Sequence, residues 1–325
     1  MDFQFIILIA TFIISVIIAL ITIPILRKLK VGQIERELGP RSHLSKQGTP
    51  TMGGVIMLLA IIISSIITFI YYSSTQTEII KNIIPLLIMA VGIGIIGFID
   101  DFKKLILKNT KGLKPSYKML GLLIISVIFV LYIIKFTNVN TQIQIPFFKS
   151  YITLPIWVYI PFTILVILGT TNAVNLTDGV DGLGGSIAAI ITAALTVIGA
   201  ILGIQEIVIF GSIVCGACLG FLIFNIHPAK VFMGDTGSLM LGGIISAMAI
   251  YLRNPLILLI VALIPIIETL SVMIQVAYYK KTKKRIFKMA PLHHHFELSG
   301  WSENKVVSVF SIITTIVCII GIYAV

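Results

Sequence analysis

Asp100 and Asp101 are adjacent in the run Gly97-Phe98-Ile99-Asp100-Asp101-Phe102-Lys103-Lys104. Neighbouring carboxylates repel unless a cation or a proton compensates. On a helix, Lys104 falls four residues from Asp100 and three from Asp101, within reach of both. Asn172, Asn175, Asp178 and Asp181 recur every three residues, which keeps polar groups on one slowly drifting helix face. Gly179, Gly182, Gly184 and Gly185 follow among them and allow tight turns against a ligand. Asp235, in Phe232-Met233-Gly234-Asp235-Thr236-Gly237-Ser238, opens a Gly-rich helix start whose free amides favour phosphate. Pro291-Leu292-His293-His294-His295-Phe296-Glu297 carries three successive histidines. They cannot all face one metal from a helix. They suit donation to phosphate or sugar oxygens better than a zinc site, which wants spaced ligands. Each group alone has a plainer reading, as a solvated helix end, a capped turn or a helix cap. Four carboxamides or carboxylates within ten residues are harder to explain that way.

The elements that position these groups are membrane helices. Of 325 residues, 58% are apolar and only 11% charged, and the mean hydropathy is +1.08. A soluble domain carries about 25% charged residues, so a soluble enzyme is excluded, and disorder is excluded by the apolar content. A spanning helix needs ~20 mostly apolar residues. Ten such runs occur, at 3–26, 52–72, 83–100, 119–136, 155–173, 184–203, 206–224, 238–252, 255–278 and 304–324. The first is too long for a cleaved signal and has no basic stretch before it, so it reads as a retained helix. Alternating the loops puts 20 Lys and Arg residues on one side and 4 on the other. The positive-inside rule then places both termini outside the cell. Loops 27–51, 101–118, 174–183, 225–237 and 279–303 face the cytoplasm, and with them every aspartate but Asp2 and all five histidines. Residues 141–154 alternate around Pro146 and Lys149 as a small extracytoplasmic hairpin. The chain reads as one all-α polytopic membrane domain, 1–325, with that hairpin.

The net charge of +11 is thus mainly an orientation signal that also suits anionic headgroups and substrates. Basic residues scattered over short loops argue against nucleic acid as a partner. Cys215, Cys218 and Cys318 lie in apolar runs and read as small buried hydrophobes. Gly92-Ile93-Gly94-Ile95-Ile96-Gly97 matches a dinucleotide-binding pattern, but it sits inside an apolar span with no strand before it, so helix packing is the better account. Glu268 is the one acid well within a span, a functional position by default. Pro265 in the same helix frees backbone amides that could satisfy it instead. Hard Mg²⁺ prefers one or two carboxylates plus substrate phosphates. Phosphoryl transfer needs positioning, charge neutralisation and an in-line nucleophile. The chemistry these residues fit joins a water-soluble phosphorylated donor to a lipid phosphate at the membrane surface.

The chain resembles the polyprenyl-phosphate N-acetylhexosamine-1-phosphate transferase superfamily over essentially its whole length. The resemblance runs from Gly48-Thr49-Pro50-Thr51-Met52-Gly53-Gly54 through Asp100-Asp101, Asn172 to Gly182 and Phe232 to Ser238. Pro291-Leu292 with the three histidines resembles the muramoyl-pentapeptide branch. The resemblance implies ten helices, a homodimer in the bacterial cell membrane and an active site on the cytoplasmic face. It implies Mg²⁺-dependent transfer of phospho-MurNAc-pentapeptide from its UDP carrier to undecaprenyl phosphate, giving lipid I and UMP. Carried over, Asp235 would bind Mg²⁺, and Asp100 would deprotonate or orient the lipid phosphate with Asp101 supporting it. Lys46, Thr51, Asp181, Asn225 and Phe232 would line the uridine-diphosphate pocket. Asn172, Asn175, Asp178, Lys104, Lys118, His293, His294 and His295 would contact phosphates or sugar, with His293 counted among the catalytic residues. A sister transferase moving GlcNAc-1-phosphate is the alternative within the class. An ion-coupled transporter is the alternative outside it, but it needs acids near mid-bilayer, and only Glu268 fits.

Overall fold

The computed structural model describes residues 3–29, 46, 48–73, 76–105, 107, 112–148 and 150–325. Asp2, His43 and the basic residues Lys30, Arg36, Arg41, Lys108, Lys111 and Lys149 lie outside them. The order is α1 (Phe3–Lys28), α2 (Gly54–Tyr72), α3 (Thr77–Leu105), α4 (Pro115–Phe136), β1 (Gln142–Ile145), β2 (Ser150–Thr153), α5 (Ile156–Thr177), α6 (Leu183–Ile201) and α7 (Gln205–Asn225). Then come α8 (Gly234–Tyr251), a 3-10 turn (Pro255–Ile257), α9 (Leu258–Val261), α10 (Leu263–Thr282), α11 (Leu292–Glu297) and α12 (Glu303–Tyr323).

Eight of the described helices are long and apolar enough to cross a membrane, and nine spans result if the bent α9–α10 pair is one. Two of the ten expected spans look different from the sequence reading. The run at 255–278 is not one rod: it breaks at Ala262 and turns by 81° before α10 begins. Pro265 falls in the first turn of the restarted helix, where a missing N–H costs nothing. The run at 238–252 belongs to α8, which starts four residues earlier and carries Asp235 in its first turn. From Thr236 to Tyr251 every residue of α8 is buried, packed against α3, α5, α6 and α2. A helix sheathed by other helices needs no lipid-facing apolar surface.

Outer helices show the reverse pattern. Phe5, Ile6, Ile9, Ile13, Ile17, Leu20 and Ile21 of α1 and Ile312, Ile316, Ile319 and Ile320 of α12 are exposed. Apolar faces this extensive are tolerated where the surrounding solvent is lipid. The expected hairpin is present, β1 and β2 pairing antiparallel with Ile143 opposite Ile152. It closes one end of the bundle: Gln144 N donates to Arg253 O at 2.8 Å, and Phe147 N donates to Ala324 O at 2.8 Å.

At the opposite end α3 runs five residues past Asp100, so Asp100, Asp101 and Lys104 share one helix. Gly97 lets the start of α8 approach it. A Cβ there would overlap the Asp235 carbonyl, so the literal GxGxxG run works as a helix-packing surface. Phe232 N donates to Pro50 O and Gly53 N donates to Phe232 O, both at 2.8 Å, which ties the chain at 48–53 to the same end.

Candidate active site

Two clusters of charge converge at this end. In the first, Asp100 and Asp235 share two lysines. Lys104 Nζ lies 2.8 Å from Asp100 Oδ2 and 2.7 Å from Asp235 Oδ2. Lys118 Nζ lies 3.3 Å from Asp100 Oδ2 and 2.9 Å from Asp235 Oδ2. Asp100 Oδ1 accepts from Leu113 N at 2.7 Å. Asn175 Nδ2 donates to Asp235 Oδ1 at 2.8 Å and to Ser238 Oγ at 2.7 Å. Residues from α3, α4, α5 and α8 thus hold two carboxylates facing one cationic space. Carboxylate oxygens are the donors a divalent cation takes; here the Lys104 and Lys118 ammonium groups hold the space between them.

Asp101 points elsewhere. It accepts from Asp235 N at 3.1 Å, Thr236 N at 2.9 Å and Thr236 Oγ1 at 2.6 Å. Adjacent helical side chains diverge, so the Asp100–Asp101 repulsion is relieved by direction, and each acid finds its own positive partner. Two expectations change. Lys104 bridges Asp100 and Asp235 rather than Asp100 and Asp101. The α8 amides expected to face phosphate at 235 and 236 are taken by the Asp101 carboxylate, the anion that a helix N-terminus favours.

In the second cluster, Lys46 Nζ lies 2.7 Å from Asp181 Oδ1 and 2.6 Å from Glu303 Oε2. His227 Nδ1 is 3.0 Å from Asp181 Oδ2, which also accepts from Ala229 N at 3.0 Å. Burial opposes the charge on Lys46, but its hydrogen bonds to Asp181 and Glu303 outweigh that and raise its pKa. Asp178 sits in the turn between the clusters. Burial, then the charges on Asp235, Asp101 and Asp181, push its carboxyl up to about 7.

The remaining expected residues are distributed unevenly. Thr51 is buried beside Gly234. Phe232 is half-buried in the strand-like pairing with Pro50 and Gly53. Asn225 Nδ2 donates to Val231 O at 2.9 Å, while its buried Oδ1 has no partner among the described residues. Asn172 is not brought to either cluster; its Nδ2 donates to Leu168 O of its own helix at 2.7 Å. The three histidines separate as expected. His293 Nδ1 meets Glu268 Oε2 at 3.2 Å, His294 Nδ1 meets Glu297 Oε2 at 2.8 Å, and His295 Nδ1 accepts from Lys288 N at 3.1 Å. Glu303, Ser238 and Thr236 were not anticipated. Thr236 and Ser238 sit in the quoted motif and could have been weighed as its polar side chains. Glu303 carries no local signal, because only the tertiary fold brings it to Lys46.

With the geometry in place, comparisons decide the family. The glycosyl transferase family 4 profile matches residues 83–253. Signature 1 of phospho-N-acetylmuramoyl-pentapeptide-transferase matches residues 46–58. Similar chains include the phospho-N-acetylmuramoyl-pentapeptide-transferases of Acetivibrio thermocellus (46% identical, covering 97% of this chain and 93% of that one), Halalkalibacterium halodurans (47%; 97% and 95%) and Clostridium perfringens (48%; 97% and 96%). The chain belongs to the phospho-N-acetylmuramoyl-pentapeptide-transferase family. The family signature at 46–58 spans Lys46 and Thr51, the segment tied to the Asp235 loop, and the glycosyl transferase 4 region contains Asp100, Asn175, Asp181 and Asp235.

Proposed function

We propose that this chain transfers phospho-MurNAc-pentapeptide from UDP-MurNAc-pentapeptide to undecaprenyl phosphate, giving lipid I and UMP, the first membrane step of peptidoglycan synthesis. The Lys104–Lys118 bridge between Asp100 and Asp235 carries the residue assignment. Asp100 orients the attacking lipid phosphate and accepts its proton where it carries one. A lipid phosphate oxygen bonds to the donor's sugar-linked phosphorus as that phosphorus loses its bond to UMP. Lys104 and Lys118 neutralise charge on the phosphates, and Asn175 holds Asp235 in place.

Asp235 would hold Mg²⁺, which when bound supplies charge neutralisation for the diphosphate. Lys46, Asp181, Thr51, Phe232 and Asn225 form the nucleotide side of the site. The partnerless Asn225 Oδ1 is supporting, since a buried acceptor left unpaired costs about 1–3 kcal/mol and a nucleobase N–H would relieve it. Asp178, His293, His294 and His295 belong to the sugar side.

Ten spans result if buried α8 crosses as well as the nine already counted. With both termini outside, the site faces the cytoplasm of a bacterial cell, in a multi-pass homodimer surrounded by membrane lipids. Cysteines introduced at Lys281 and at Lys135 test the orientation. An impermeant thiol reagent on intact cells labels position 135 and spares position 281 if the site is cytoplasmic, and the reverse pattern inverts the protein.

A further inference from the structure

Glu268 and His293 form a buried pair in which the transfer scheme gives Glu268 no role and His293 only a place on the sugar side. Each is 1% exposed. Both oxygens of the Glu268 carboxylate face the same residue: Oε1 accepts from His293 N at 3.1 Å, and Oε2 lies 3.2 Å from His293 Nδ1. The α10 helix and the short α11 are joined through that contact. The other ring nitrogen, Nε2, is buried and has no partner among the described residues. It points at Gly179, where any Cβ would overlap the ring. Gly179 belongs to the half-buried turn between the Asp235 and Asp181 clusters.

We infer that Glu268 is a positioning residue that holds His293 with its proton on Nδ1. The bare Nε2 is thereby presented beneath the Gly179 turn as an acceptor for a hydroxyl or amide N–H of the nucleotide-sugar donor. A carboxylate offers only acceptors, and one of its oxygens already takes a backbone N–H, so the ring nitrogen facing the other oxygen carries the proton. The partner of one imidazole nitrogen fixes the character of the other. Burying Nε2 unpaired has a cost that ends when the donor displaces the turn and pairs with it. A histidine held this way accepts from the sugar rather than donating to an anion. Gly179 is then a glycine because the ring occupies the space of its side chain.

This inference rests on the transferase reading for the identity of the ligand, but its first readout does not. Nitrogen NMR of the full-length protein in nanodiscs, labelled with ¹⁵N-histidine and assigned by difference from His293→Gln, reads the tautomer directly. The parental ring shows a protonated Nδ1 and a bare Nε2. Glu268→Gln keeps one acceptor for His293 N but turns a donor toward Nδ1, so the proton moves to Nε2. In that variant kcat/KM for the sugar donor falls about tenfold or more, the loss of one buried hydrogen bond, while KM for the lipid acceptor stays unchanged. A parental ring protonated on Nε2 overturns the inference even if Glu268→Gln fails to fold. A tautomer that moves with no change in donor kinetics, or a loss shared equally by both substrates, overturns the acceptor role. A parental protein that releases no UMP contradicts the transferase reading instead, and the tautomer still decides what Glu268 does.

Discussion

The carboxylate of Asp101, at the end of α3, accepts both the backbone N–H and the hydroxyl of Thr236, in the first turn of α8, at 2.9 and 2.6 Å. One helix therefore caps another, and the cap fixes where Asp235 stands relative to Asp100. Replacing Asp101 with Ala leaves Thr236 N, Thr236 Oγ1 and Asp235 N without their acceptor. The expected loss of stability is about 3 kcal/mol, seen as a lower melting temperature in detergent. Asp100→Asn, which touches no cap and keeps an acceptor for Leu113 N, lowers turnover with a smaller thermal effect. Equal melting temperatures for the two variants would show that the cap is not what places Asp235.

Asp235→Asn keeps the shape of the side chain and removes its charge. Asn175 can still reach the position, but Lys104 and Lys118 lose one of their two anions. Turnover drops by about two orders of magnitude or more, as for a lost charge-stabilising group in a closed site, and the residual activity responds only weakly to added Mg²⁺. A magnesium titration of UMP release checks this. An unshifted titration curve would remove Asp235 from the metal site.

Gly97→Ala places a methyl group against the backbone of Asp235 and Thr236. Backbone cannot yield as a flexible side chain does, so α3 and α8 must move apart. Overpacking of this kind costs about 2 kcal/mol, and both the Asp100–Asp235 bridge and the Asp101 cap lengthen together. A Gly97→Ala protein with parental melting temperature and turnover would mean that the helix contact is looser than described.

Burial and the nearby charges of Asp235, Asp101 and Asp181 raise the Asp178 pKa to about 7. The folded protein therefore binds this proton more tightly than the unfolded chain, whose carboxyl titrates near 4. The stabilisation is complete below about pH 4 and is lost as pH rises through about 7. Asp178→Asn is neutral at every pH. In chelator, its melting temperature relative to the parent should climb between about pH 4 and 7 and level off above. A difference that stays flat across that interval would place Asp178 in a wetter or more compensated setting.

Most of the helices, the hairpin and the gathering of the acids at one end of the bundle were legible because each depends on local pattern. Apolar runs of spanning length, the alternation around Pro146 and acids placed at the ends of those runs all act within a few residues of where they are read. The partners were less legible. Asp100 and Asp101 look equivalent in the sequence, yet one faces two lysines and the other caps a helix 134 residues away. That division depends on α8 packing against α3 at Gly97. The link from Lys46 to Glu303 spans 257 residues and has no local trace. The break before α10 was hidden because Pro265 in the first turn of a new helix and Pro265 inside a longer one have the same hydropathy profile. Glu268 stands out in the sequence as an acid among apolar residues, but the partner that satisfies it, His293, is set by the fold.

The central claim is that this end of the bundle joins a UDP-linked sugar phosphate to a lipid phosphate. The most direct measurement is UMP release by the purified, detergent-solubilised protein given UDP-MurNAc-pentapeptide, undecaprenyl phosphate and Mg²⁺, with each omitted in turn. UMP is expected only when all three are present, with lipid I formed in equal amount. UMP from UDP-GlcNAc but not from the muramoyl donor, or no UMP from folded protein with either, would contradict it.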